Sequence, residues 1–213
     1  PSLVEQFSSA IVILVFNFII YGISGNTGVA AYGVVANISL VVASVFTGIA
    51  QGVQPLISRA HGEGELAKGR SCFCLALIFA AVFSVLVYLI IFFFAEPVAD
   101  IFNREHDPQL TAMAAERMRI YFTAMPFLGF NIIACTYFSS NEKPLPAHII
   151  SFLRGLLVII PAAFLLSSLL ALTGVWLSYP VTEIIVCLVS AIIYAVMCRR
   201  ENRLQKGANL GQK

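Results

Sequence analysis

Six long apolar stretches, at about 4–24, 29–57, 70–95, 118–140, 147–170 and 174–198, alternate with short segments that hold nearly all the charge. A helix rises about 1.5 Å per residue and the hydrocarbon core of a bilayer is about 30 Å thick, so roughly 20 apolar residues cross it. Each stretch is long enough to do so. The pattern predicts an all-α integral membrane protein with six transmembrane helices over 1–198 and a basic cytoplasmic tail over 199–213. Six crossings fill the length and leave no room for a separate soluble domain.

Composition supports this. Of 213 residues, 59% are hydrophobic and 11% charged, against about 25% charged in ordinary soluble domains. The net charge of +2 comes from the tail and calls for no nucleic-acid partner. The first apolar stretch is too long for a signal-peptide core and lacks a convincing cleavage site. Pro1 is not an initiator, so the chain reads as a piece of a longer protein. Cys72, Cys74, Cys135, Cys187 and Cys198 lie in or beside apolar stretches and read as small packing residues. His61, His106 and His148 are dispersed, so no metal site, cofactor or catalytic constellation is expected.

Alternating spans put 58–70, 139–146 and the tail on one side. That side collects Arg59, Lys68, Arg70, Lys143, Arg154, Arg199, Arg200, Arg203, Lys206 and Lys213, ten of the 13 basic residues. The other side has Arg104, Arg117 and Arg119, mixed with acids. Basic residues stay on the cytoplasmic face, which predicts a multi-pass protein of the cell (inner) membrane with both ends of this segment cytoplasmic. The long outer connection, 96–119, is interrupted by Pro97 and Pro108; its part 109–119 reads as a short amphipathic element capped by Asp107.

Polar side chains are costly in a bilayer and tend to face a bundle interior or a wet cavity. On the second span Gly33, Asn37, Ser44, Gly48, Gln51 and Pro55 share a sector of roughly 60°, and Gly48 with Gly52 forms a GxxxG step that permits close helix approach. Val42 falls on the opposite, lipid side. The first span carries Gln6, Asn17, Tyr21 and Ser24 on one side; the sixth carries Tyr179, Glu183, Cys187, Ser190 and Tyr194. Asn17, Tyr21, Asn37, Ser44, Gln51 and Asn131 are the candidate cavity-lining residues. Glu183, roughly 14 Å from the outer end of its span, is the candidate for cation coupling. Buried there, its carboxyl is either protonated or paired with a cation; a neutral structural donor is the plainer alternative. Arg154 lies near the cytoplasmic end of the fifth span and can snorkel out. Pro126 and Pro161, inside spans, permit bends.

The stretch 17–70 resembles the multidrug and toxic compound extrusion (MATE) transporters. The resemblance rests on Asn17 with Tyr21-Gly22, on Gly48-Ile-Ala-Gln51-Gly52-Val-Gln54-Pro55, on the His61-Gly62-Glu-Gly64 loop, and on Trp176 to Pro180 with Glu183. It looks like the C-terminal lobe of the subgroup of bacterial multidrug exporters and DNA-damage-inducible-F-like proteins. The resemblance implies one lobe of a two-lobed, twelve-helix transporter whose partner is the N-terminal six-helix lobe. Such a protein exports small organic cations by H⁺ or Na⁺ antiport across the lipid bilayer. Sodium-coupled members carry acids in the first and fourth helices of this lobe; here the first span has only Glu5 and the fourth has none. A flippase of lipid-linked sugars would show more basic residues in its spans. A membrane enzyme would need a nucleophile, base and orienting group together. A non-transporting structural half is a further alternative.

The orientation is testable by labelling. In a variant cleared of native cysteines, Lys68→Cys and Lys143→Cys should react with impermeant thiol reagents from the cytoplasmic side only; reaction of both from outside intact cells reverses the topology.

Overall fold

A computed structural model describes the backbone of residues 2–103 and 107–210 and the side chains of 7–103 and 107–199. Glu5 and Gln6, the loop residues Arg104, Glu105 and His106, and the tail cations Arg200, Arg203, Lys206 and Lys213 lie outside the described side chains. Helix α1 runs Ser2–Gly62 and α2 Leu66–Phe102. Helix α3, Pro108–Tyr121, passes through one 3₁₀ turn into α4, Met125–Ser140. Helix α5, Pro144–Phe152, passes through a π turn at Leu153–Leu157 into α6, Ile159–Leu210. Among the described residues, four helices are long and apolar enough to cross a membrane.

Four rather than six arises because two breaks are only one residue long. At about 1.5 Å per residue a straight α1 of 61 residues would reach about 90 Å, three times the hydrocarbon core. It does not run straight. Gly25 has φ 61° and ψ −152°, a region open essentially to glycine alone. The rings of Phe16 and Tyr32, which a continuous helix would hold about 24 Å apart, stack at 5.4 Å. The chain therefore folds back on itself at Gly25. Ala171, at φ 50° and ψ −131°, makes the corresponding break in α6, and a Cβ built on Gly174 would overlap the backbone of Leu166.

Other boundaries also shift. The stretch 109–119 is no separate surface element: it forms the first turns of the span that ends at Ser140. Asp107 caps it as expected, Oδ1 accepting from the Gln109 amide at 2.9 Å with Pro108 at the first turn. Pro97 does not interrupt the chain, because α2 continues to Phe102 and absorbs the missing hydrogen bond in a kink at Phe94. The GxxxG step brings no helix close. Cβ atoms on Gly48 or Gly52 would meet nothing within 4 Å among the described residues.

The core is a mixed aliphatic and aromatic layer between α1, α2, α4 and α6, centred on Phe46, Phe73, Phe122, Phe138 and Trp176. Val42 belongs to it rather than to the lipid face, at 8% exposure. Arg117 donates to the Thr173 hydroxyl at 2.8 Å, tying α3 to the turn at Ala171. Arg119 sits 5.9 Å over the ring of Phe92.

Gly25→Ala should destabilise the protein by about 1–3 kcal/mol, because alanine is strained at this φ and ψ. Gly22→Ala, where a Cβ meets nothing within 4 Å, should be neutral or slightly stabilising. Thermal unfolding of both variants in detergent is the measurement, and equal midpoints would rule out the strained turn.

Candidate functional site

The second limb of α1 (26–62) presents its polar stripe outward: Asn37, Ser44, Gly48 and Gln51 are all exposed. Ser44, Thr47, Gly48 and Gln51 form one wall of a cavity of about 540 Å³. Ser9, Val12 and Phe16 of the first limb, Tyr32 and Ser39 of the second, and Tyr121, Arg154, Tyr179 and Glu183 complete much of the lining. The wall thus combines small polar residues and aliphatic side chains with four aromatic rings.

The aromatic part is closely ordered. Tyr121 and Tyr179 stack at 4.3 Å with their planes 2° apart. Trp176 meets Tyr32 and Tyr121 edge-on, at 5.9 and 6.3 Å. This fixes the rings by contacts from α1, α3 and α6 together.

Behind them lies the charge. Glu183 has no exposure. Its Oε1 lies 3.2 Å from Arg154 Nε, an ion pair, and its Oε2 accepts from Asn131 Nδ2 at 2.8 Å. The same amide donates to the Glu183 backbone carbonyl at 3.1 Å, and Ser190 Oγ donates to Asn131 Oδ1 at 3.3 Å. An isolated carboxylate in this setting would be prohibitively desolvated; a counterion and hydrogen bonds on its oxygens make it tenable.

Arg154 arrives there through the π turn. Val158 N donates to Leu153 O at 3.0 Å, one residue further back than in an α-helix. The sequence reason is Pro161, which cannot donate to the Leu157 carbonyl and crowds it, so the preceding turn widens. Gly155 is needed as well, since a Cβ there would lie 2.5 Å from the Cβ of Ser8 on the first limb. Arg154 therefore turns inward to Glu183 rather than snorkelling to the surface, a correction to the sequence expectation.

The expected cavity residues divide. Ser44 and Gln51 line the cavity, and Glu183 forms part of its wall. Asn131 is buried and serves Glu183 instead of the cavity. Asn17 is half-buried, Tyr21 is 61% exposed, and Asn37 donates to the Gly33 carbonyl at 2.9 Å; none of the three is among the lining residues. Arg154 and Tyr121 are the site residues that stripe reasoning missed, while Tyr179 stood on the stripe of the sixth span without being named a cavity residue. The signal for Arg154 was available: a buried acid needs a cation, and of the basic residues Arg154 lies furthest inside an apolar stretch.

The profile of the MatE family matches residues 1–165. The chain belongs to the MatE family. It is 28% identical over 164 residues to the FAD transporter of Shewanella oneidensis, covering 75% of this chain and 35% of that protein. It is 24% identical over 186 residues to the multidrug export protein MepA of Staphylococcus saprophyticus, covering 87% and 40%. The chain thus spans well under half the length of these relatives. Solved outward-facing and inward-facing forms of a multidrug resistance MATE transporter each share its fold at 20% identity, with TM-scores of 0.84 and 0.85, over 95% of this chain and 45% or 46% of theirs. A MatE chain with these long apolar helices is a multi-pass membrane protein.

If Arg154 and Glu183 form one energetic unit, Arg154→Met alone should destabilise by about 2–4 kcal/mol, leaving a buried charge behind. The double variant Arg154→Met/Glu183→Gln should recover about 1 kcal/mol or more of that loss. Unfolding titrations in detergent measure the cycle, and strictly additive losses would show the two side chains to be independent.

Proposed function

We propose that this chain forms one lobe of a secondary active transporter that exports organic, drug-sized compounds by alternating access, in exchange for H⁺ or Na⁺. The observation that carries the reading is a cavity of about 540 Å³ with a buried ion pair in its wall, in a chain of the MatE family. The names of the relatives, one for FAD and one for multidrug export, agree with an organic solute. Reversals at Gly25 and Ala171 support six crossings, with limbs 2–24, 26–62, 66–102, 108–140, 144–170 and 172–210. The excess of Lys and Arg at the ends and in alternate loops supports both ends at the cytoplasmic face of the cell membrane. The partner in this reading is a second six-helix lobe closing the cavity from the other side. The similar match to outward- and inward-facing forms favours a lobe that moves as one body.

Glu183 is the coupling candidate within this lobe. Organic cations, the class that the family resemblance implies, are drawn to exposed carboxylates; here Glu183 is covered and Arg154 faces the cavity. The cavity thus offers an organic cation less charge attraction than an exposed carboxylate would.

Transport by the full-length protein in proteoliposomes tests the reading. Glu183→Gln keeps the hydrogen bond to Asn131 but removes the charge, so ion-driven transport should fall by about tenfold or more and lose its pH dependence. Gln51→Leu should reduce transport several-fold, whereas Val41→Leu, exposed and outside the cavity, should leave it near wild type. Full pH-dependent activity in the Glu183→Gln variant would remove this residue from coupling.

A further inference from the structure

Arg154 and Glu183 are the charged members of the cavity lining, and they are presented unequally. The Glu183 side chain is wholly covered, while that of Arg154 is 22% exposed. A solute entering the cavity meets the guanidinium and not the carboxylate. A guanidinium is a planar fork of five N–H donors and engages acids on more than one edge. Here Nε faces Glu183, and the group as a whole reaches the cavity. Tyr179, half-buried, lines the same space, backed by the covered ring of Tyr121 stacked on it at 4.3 Å. Flat aromatic solutes stack on such faces, and their acid groups seek such a fork.

We propose that this cavity binds an aromatic organic anion, with its carboxylate or phosphate on Arg154 and its ring against Tyr179, the partly open member of the tyrosine pair. The proposal deepens the transporter reading and rests on it for the route by which the ligand crosses the membrane. Two features of the chain serve the arrangement. The π turn at Leu153–Leu157 sets the angular position of Arg154, and π turns recur at functional sites. Glu183 and Asn131 hold the guanidinium from behind, so that it is oriented before a ligand arrives. Glu183 is also a built-in competitor for Arg154, so weakening its charge should favour the incoming acid.

The test uses the purified full-length protein with two dyes, fluorescein as aromatic anion and ethidium as aromatic cation, binding read by fluorescence anisotropy. Fluorescein should bind saturably and more tightly than ethidium. Arg154→Gln should weaken fluorescein by about tenfold or more, Arg154→Lys should fall between, and Glu183→Gln should tighten it several-fold. Each variant's thermal midpoint is checked, and Arg154→Lys keeps the charge should Arg154→Gln fail to fold. No saturable fluorescein binding, tighter ethidium binding, or fluorescein affinity indifferent to residue 154 overturns the proposal. Displacement of fluorescein by phosphatidylglycerol but not by benzoate would assign the site to a lipid phosphate, and overturns the aromatic class. Transport is read separately in proteoliposomes. Export of ethidium without fluorescein binding leaves the transporter reading standing and removes the anion site. Arg154-dependent fluorescein binding with neither dye transported supports the site and removes the transporter reading.

Discussion

The arrangement of this chain turns on keeping one carboxylate inside an apolar helical unit. Glu183 is sealed from solvent, and the cost of charge there is met by Arg154 at 3.2 Å and Asn131 at 2.8 Å. These partners come from different elements: Asn131 from α4, Arg154 from the π turn between α5 and α6, and Ser190, which holds Asn131, from α6 itself. Displacing any one of these elements would strand a polar group without its partner, which is far costlier than losing a contact of ordinary apolar packing. The network therefore fixes the register of three elements against one another, as the aromatic layer around Trp176 alone could not.

A second constraint follows from the length of the helices. A bilayer tolerates polar backbone only where its hydrogen bonds are satisfied, which rewards reversals that sacrifice as few residues as possible. Gly25 reverses the chain within a single residue, in a conformation closed to side chains. Ala171 does the same at greater local strain, and Arg117 braces the neighbouring Thr173 from α3. Because helix resumes on both sides of each break, the described residues form four long apolar helices where the sequence pattern counts six stretches.

Much of this was legible in the sequence, though unevenly. Apolar length and the position of turns are one-dimensional properties, and the stretches read from the pattern fall on the observed helical limbs. The polar stripe of Gln51 and Ser44 was also readable, because a uniform helix preserves phase from Asn37 to Pro55. The inference that failed concerned Val42. The side opposite a polar stripe was taken to face lipid, yet here the stripe faces the cavity and the opposite side packs inward against the core. Arg154 was placed at the surface because position along a span says nothing of a widened turn, and the effect of Pro161 on the preceding residues shows only in three dimensions. Pro97 erred in the other direction, since α2 absorbs it with a kink at Phe94.

The pairing also bears on movement. Outward- and inward-facing forms of a MATE transporter share this fold almost equally, at TM-scores of 0.84 and 0.85. Within the proposed reading, the change of access then lies between lobes, while the cavity wall travels intact. A neutral ion pair suits such a wall, because moving it between environments transports no net charge and meets little electrostatic opposition. Replacing the internal bond by a bond to a ligand, or by a proton on Glu183, would alter the charge carried without disturbing the fold around it. Asn131 continues to hold the carboxyl group through its Nδ2 in either case, as an amide donor serves both a charged and a protonated acid. Within the proposed reading, Glu183, Arg154, Asn131 and Ser190 can thus be rigid as a structure and switchable in charge.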